Sequence, residues 1–193
     1  MSISLVAGLG NPGRIYAASR HNLGWVVIDA FAAKLGLQWR SLPQFDAHVA
    51  RWDGPAGDTR YFLKPLTFMN ESGRAVGSFA RYHKILSAGI LAVYDDVNID
   101  LGLVKVSVAG SAGGHNGVSD LLTQIGEGFV RFRLGVGPKP SRMELKDFVL
   151  GNFTPDQQII VNQQLSHYLS GLELLLSRGT EAAMNQLNRR ESK

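Results

Sequence analysis

Ile3-Ser4-Leu5-Val6-Ala7-Gly8-Leu9-Gly10-Asn11-Pro12-Gly13, continuing to Ser19-Arg20-His21-Asn22, is the stretch on which the fold turns. The apolar run from Ile3 to Leu9 predicts a strand. A glycine-rich turn follows, then a polar cluster holding one histidine. The amphipathic segment Leu23 to Leu35 predicts a helix that starts near Asn22, a good N-cap residue, and ends near Gly36. A strand, a tight loop and a helix start are thus packed into about twenty residues. Such a junction holds polar side chains at the carboxyl edge of a sheet, where open α/β folds place their sites.

Gly8, Gly10 and Gly13 spell G-x-G-x-x-G, the dinucleotide fingerprint. The context argues against that reading. Pro12 and Gly13 disfavour a helix starting at once. The acidic residue expected about 20 positions on, at the end of a second strand, is replaced by Asp29 inside the predicted helix. The alternatives are a turn that needs glycine for backbone reasons, or a turn that presents Asn11 and His21 to a common cleft.

Working outward, Ala47 to Trp52 and Thr59 to Lys64 read as two strands joined by Asp53-Gly54-Pro55-Ala56-Gly57-Asp58. A helix is predicted from Glu71 to His83. Ile90 to Tyr94 is a short apolar run, as expected of a strand buried on both faces, and it ends in Asp95-Asp96. Leu103 to Val108 and Phe129 to Val136 alternate apolar and polar residues, and the second puts Arg131 and Arg133 on one face. Between them a second glycine loop, Ala109 to Gly114, leads through His115-Asn116-Gly117 into a helix ending near Ile125. Ser141 to Leu150 reads as a short helix or lid-like segment. Thr154-Pro155-Asp156-Gln157 is a capping box with proline at the first helical position. The helix it opens stops at Gly179, and Thr180 is expected to cap a last short one. Alternating strands and helices predict an α/β fold: one domain over residues 1–188, a twisted, mixed but mostly parallel sheet, and helices on both faces. The hairpin pattern at 47–64 is what makes the sheet mixed. Residues 189–193 read as a polar, flexible tail.

Composition narrows the function classes. The 193 residues carry 20 basic and 16 acidic side chains, a net charge of +4, and no cysteine. Disulfides, thiolate catalysis and cysteine metal sites are excluded. The moderate basic excess permits a polyanionic partner without demanding one. No apolar run is suited to spanning a bilayer, and Met1-Ser2-Ile3-Ser4 lacks the basic start of a signal peptide.

Several predicted strand ends and loops carry residues able to do site chemistry: Asn11, Asn70, Asp95 and Asn116, joined by His21. Singly, each has a plain structural reading as a turn or cap residue. Together they define a chemistry. A histidine can take a proton from water near neutral pH. A carboxylate on its other ring nitrogen fixes the tautomer and stabilises the imidazolium. Carboxamides donate to an oxyanion or hold a peptide backbone. There is no G-x-S-x-G and no H-E-x-x-H, and the five histidines are scattered. Water-mediated hydrolysis of an acyl bond with histidine as base is the leading mechanism.

These pieces resemble the bacterial-type peptidyl-tRNA hydrolase family. The matching motifs run in order: Gly8 to Gly13, Tyr16, Arg20-His21-Asn22-Leu23-Gly24, Lys64 to Gly73, Asp95-Asp96, Gly113-Gly114-His115-Asn116-Gly117, Arg131 to Gly137 and Phe148-Val149-Leu150. The resemblance implies hydrolysis of the ester joining a peptide to tRNA, with no cofactor and no metal, by a cytoplasmic monomer acting on the acceptor end. It implies His21 as general base, Asp95 as its orienting carboxylate and Asn11 as the sensor of a blocked α-amine. Tyr16, Phe68, Asn70 and Asn116 would hold the peptide and terminal nucleotide, and Lys105 and Arg133 the RNA phosphates. The chain departs from the family pattern at Ser19, at Ser119, at Ser107 in place of a second lysine, and along the segment Asp95 to Asp100. A non-enzymatic RNA-binding protein on the same fold is the competing class.

Overall fold

A computed structural model describes residues 2–55 and 57–189. Its centre is β1 (Leu5–Gly8), flanked by β4 (Thr59–Pro65) and β5 (Ile90–Asp100), both parallel to it. With β2 (Arg40–Leu42), β3 (Ala47–Asp53), β6 (Val104–Ser107) and β7 (Val130–Gly137), the seven strands lie in the order β2-β3-β4-β1-β5-β7-β6. The four central strands are parallel; β3 and β6 run antiparallel beside them, and β2 pairs antiparallel with β3. The predicted hairpin is β3–β4, paired from Ala47↔Pro65 to Asp53↔Thr59.

Alternation along β1 builds both halves of the core. Val6 faces a cluster with Leu23, Val27 and Phe31 of α1 (Leu23–Lys34) and with Tyr168 and Leu172 of α5 (Pro155–Arg178). Leu5 and Ala7 face the other cluster, with Val76 and Phe79 of α2 (Ser72–Tyr82) and Leu121 of α3 (Asn116–Ile125). Each fully buried large apolar side chain contributes about 1.5–3 kcal/mol. α4 (Leu145–Leu150) and α6 (Thr180–Leu187) lie on the α1 side. No described helix is long and apolar enough to cross a membrane.

Several boundaries differ from the sequence reading. β5 does not stop at Tyr94 but continues to Asp100, so Asp95 and Asp96 are strand residues. Its partner β7 carries it onward by parallel pairing as far as Asp96↔Gly135, and the register shifts only beyond that point. Asn22 does not cap α1: a 3₁₀ turn, Arg20–Asn22, precedes the helix and the Asn22 side chain turns elsewhere. His115, not Asn116, is the side-chain cap of α3. Gly179 takes the cap position assigned to Thr180. β2 had no clear signal because its residues, Arg40-Ser41-Leu42, are largely exposed at the sheet edge. The capping box of α5 is present in full. Of the predicted tail, residues 190–193 lie outside the described residues.

Candidate active site

The G-x-G-x-x-G turn does not open a helix. Gly13 has φ +104°, a conformation L side chains rarely adopt, and leads into a 3₁₀ turn, with α1 starting only at Leu23. Gly10 is pressed against the Trp25 ring, where a Cβ would lie 2.7 Å from it. These glycines therefore serve packing and chain reversal, and the turn delivers Asn11 and His21 to the carboxyl edge of the sheet.

Asn22 explains how. Its Oδ1 accepts from the Asn11 backbone N–H at 2.8 Å, and its Nδ2 donates to the Asn11 carbonyl at 2.9 Å. The two-way clamp fixes Asn11, whose own Oδ1 accepts from the Met69 N–H at 2.7 Å. Both oxygen and backbone of Asn11 are thereby committed, and Nδ2 remains as the donor. The sequence reading took Asn22 for a helix cap and missed this role.

His21 Nδ1 lies 2.8 Å from Asp95 Oδ1, both side chains being buried. A carboxylate only accepts, so the neutral imidazole carries its proton on Nδ1 and exposes Nε2 as a lone pair. Nε2 makes no hydrogen bond among the described residues. His115, which the sequence reading quoted within a motif but gave no role, joins from the opposite side. Its Nδ1 accepts from the Val118 N–H at 3.3 Å, so its proton sits on Nε2, which donates to the same Asp95 Oδ1 at 3.1 Å. The two imidazole rings stand 4.7 Å apart. Burial by itself would raise the Asp95 pKa. The positive charge available on His21 and hydrogen bonds from both histidines outweigh it, and the carboxyl is held well below the usual carboxylate range. Asp95 Oδ2 is buried without a hydrogen-bond partner among the described residues.

His21 Nδ1, Asp95 Oδ1 and His115 Nε2 all lie within 4.8 Å of one another and form the one metal-capable cluster among the described residues. Two N–H groups already point at the shared oxygen, so a cation would have to displace both protons. The donor set fits a hydrogen-bonded triad better. Separations of 74 and 20 residues along the chain left no spacing signal.

Around the triad is a cleft of about 560 Å³, lined by Asn11, Tyr16, His21, Phe68, Asn70, Asp95 and Asn116. Seven of the nine residues singled out from sequence therefore share one cavity. Phe68 is 55% exposed, an apolar surface at the cleft. One wall is α4, through Leu145, Lys146, Val149 and Leu150.

The other two predicted residues lie apart from this cavity. Lys105 and Arg133 are directly opposite each other on β6 and β7. Arg133 lines a second cavity of about 220 Å³ beside the first, together with Ser107 and Arg131. Asp96 lines both cavities and accepts from Arg133 Nε at 2.9 Å, with Nη2 at 2.8 Å. Arg131, grouped with Arg133 in the sequence reading, is buried. Its Nη atoms donate to the Gly110 and Ser111 carbonyls, and its guanidinium lies over Phe129. It braces the second glycine loop instead of facing solvent.

Residues 5–193 match the family model for peptidyl-tRNA hydrolase. The peptidyl-tRNA hydrolase of Elusimicrobium minutum is 39% identical over 97% of this chain and all of that protein. That of Symbiobacterium thermophilum is 41% identical over 95% and 98%. The crystal structure of peptidyl-tRNA hydrolase from Acinetobacter baumannii is similar with a TM-score of 0.89 and 35% identity, covering 96% of this chain and 94% of that one. On this sequence match and shared fold, the chain belongs to the peptidyl-tRNA hydrolase family.

Proposed function

We propose that this member of the family cleaves the ester between peptide and tRNA, releasing free tRNA, by water attack with His21 as general base. The observation that carries the mechanism is the His21–Asp95 hydrogen bond, which leaves Nε2 as the free lone pair at the cleft. Nε2 takes a proton from water as the water oxygen attacks the ester carbonyl. Asp95 stabilises the imidazolium that forms. His115 holds the second hydrogen bond to Asp95 and keeps its oxygen aimed at His21. The proton then passes from His21 to the departing ribose oxygen, leaving a carboxylic acid and a free tRNA end.

Asn11 has only a donor to offer, so it favours a peptide carbonyl and has nothing to give a free ammonium group. That supports preference for an N-blocked substrate. Asn70 and Asn116 supply further carboxamides, and Tyr16 and Phe68 supply aromatic surface for peptide or terminal base. Lys105 and Arg133 serve the RNA side, contacting acceptor-end phosphates that position without reading sequence. The enzyme acts as a cytoplasmic monomer.

The test is release of tRNA from N-acetylated aminoacyl-tRNA by wild type and His21→Ala, with the unacetylated form in parallel. Fast cleavage by wild type, a loss of about 10²–10⁴-fold in the variant and sparing of the unacetylated substrate are expected. Folded wild type that binds tRNA without cleaving it would overturn the reading in favour of an RNA-binding protein.

A further inference from the structure

Arg20 stands next to the proposed base in sequence, yet its side chain leaves in another direction. It is buried and forms no ion pair among the described residues. Every acceptor it meets is neutral. Nη1 donates to the Phe148 and Gly151 carbonyls, both at 3.1 Å, at the C-terminal end of α4, where helix carbonyls lack internal partners. Nη2 donates to Gln157 Oε1 at 2.7 Å, an oxygen that also accepts from the Thr154 N–H in the α5 capping box. The guanidinium lies 4.4 Å from the Phe148 ring centroid and 5.3 Å from that of Phe153. Burying a cation without an anion is costly, so an arrangement that retains one points to a role a neutral side chain would not fill.

What Arg20 holds is the cleft wall. α4 has six residues, too few to be stable alone, and only Phe148 and Val149 of them are buried. The preceding segment, 138–144, is largely exposed. The fixed part of this wall is therefore its C-terminal corner. There, the Arg20 fork ties together the end of α4, the start of α5 and the turn that carries His21. The backbone adds a bond from Arg20 N–H to the Gly151 carbonyl and a bridge between Ser19 and Asn152.

We propose that Arg20 is a positioning residue that sets the separation between His21 and the α4 wall, and so governs the fit of the peptidyl part of the substrate. This rests on the reading of the His21 cleft as the peptide site. The backbone bonds and the triad do not depend on the guanidinium. Loss of the fork therefore acts on the wall and leaves the base as it was.

The experiment compares wild type, Arg20→Lys and Gln157→Ala on N-acetylated aminoacyl-tRNA, with kcat, KM and the pH dependence of kcat measured separately and melting curves to check folding. Lysine keeps the charge but not the two-pronged geometry. A rise in KM of about tenfold in Arg20→Lys, the scale of one hydrogen bond to a charged group, with an unshifted pH profile, is the expected result. Gln157→Ala, which breaks one prong and leaves Arg20 in place, should show a smaller rise of the same kind. The proposal is overturned if Arg20→Lys has wild-type KM, or if kcat and its pH profile change while KM does not. Should Arg20→Lys fail to fold, a wild-type KM in Gln157→Ala overturns it alone. His21→Ala separates the two readings: if it keeps full activity, the site assignment fails whatever Arg20 does.

Discussion

The two cavities on either side of Asp96 are built on opposite principles. In the larger one the polar groups at its base are buried and mutually committed: Asn22 clamps Asn11, Asn11 accepts from Met69, and two histidines share one oxygen of Asp95. Beside the smaller one, the groups proposed to meet RNA are Lys105, exposed on the edge strand β6, and Arg133, held on β7 by a single, mostly buried pair with Asp96. Bond breaking needs atoms held in place before substrate arrives. Holding a flexible polyanion needs charge within reach and little else. Mutations should therefore separate the two cavities by which constant they move.

The largest effect is expected at Asp95. Asp95→Asn removes the charge that fixes the His21 tautomer and should lower kcat on the order of 10³–10⁴-fold, as in other Asp–His pairs, with tRNA affinity retained. Equal losses in kcat and tRNA binding would erase the distinction between the cavities. His115→Gln should cost about 10–100-fold in kcat, the value of a hydrogen bond to a charged group. A wild-type rate would show that Asp95 needs only His21. Arg133→Ala should leave kcat nearly intact while weakening tRNA binding and reducing the slope of log affinity against log salt by about 1. Asp96→Asn should act in the opposite direction and most weakly, tightening tRNA modestly by freeing Arg133 from its one ion pair. A binding titration across salt concentrations reads both.

Acid adds one further check on the buried cavity. The Asp95 carboxyl is held low in the folded chain, so its stabilising share is present above the unfolded value of about 3.9 and is lost as pH falls through the folded one. Asp95→Asn should therefore depress the melting temperature more at neutral pH than below about pH 4. An equal depression at both would contradict the direction assigned to Asp95.

The difference between the cavities also explains what could be read from the chain beforehand. Strand and helix order, the β3–β4 hairpin and the Thr154–Gln157 cap are local patterns and were legible. Asn11, His21, Asn70, Asp95 and Asn116 were legible as a set because each follows an apolar run or a glycine-rich turn, although Asp95 lies within β5 and Asn116 opens α3, and the structure gathers them in one cleft. The partners that hold them were not. Asn22 looks like a helix cap by position, and His115 is hidden inside a glycine motif whose asparagine draws attention. Arg131 shares the strand face of Arg133, yet the fold of the 109–114 loop over it turns one into a brace and leaves the other near solvent. Local sequence shows where a side chain starts; what it reaches depends on elements that lie 11 to 74 residues away.

The extension of β5 through Asp95 and Asp96 carries a consequence for how the gene can vary. Neighbouring residues on a strand point to opposite faces, so two adjacent aspartates serve different partners: Asp95 holds His21 and His115, and Asp96 holds Arg133. Deleting a single codon upstream in β5 would shift the register by one and turn Asp96 toward the histidines. The carboxylate facing them would be restored, but the arginine would face Val97. Such a deletion would also carry the buried Ile99 to the exposed position of Asn98, so one lost codon disturbs both faces of the strand, whereas codons added to the turn between β3 and β4, which lines neither cavity, would touch neither.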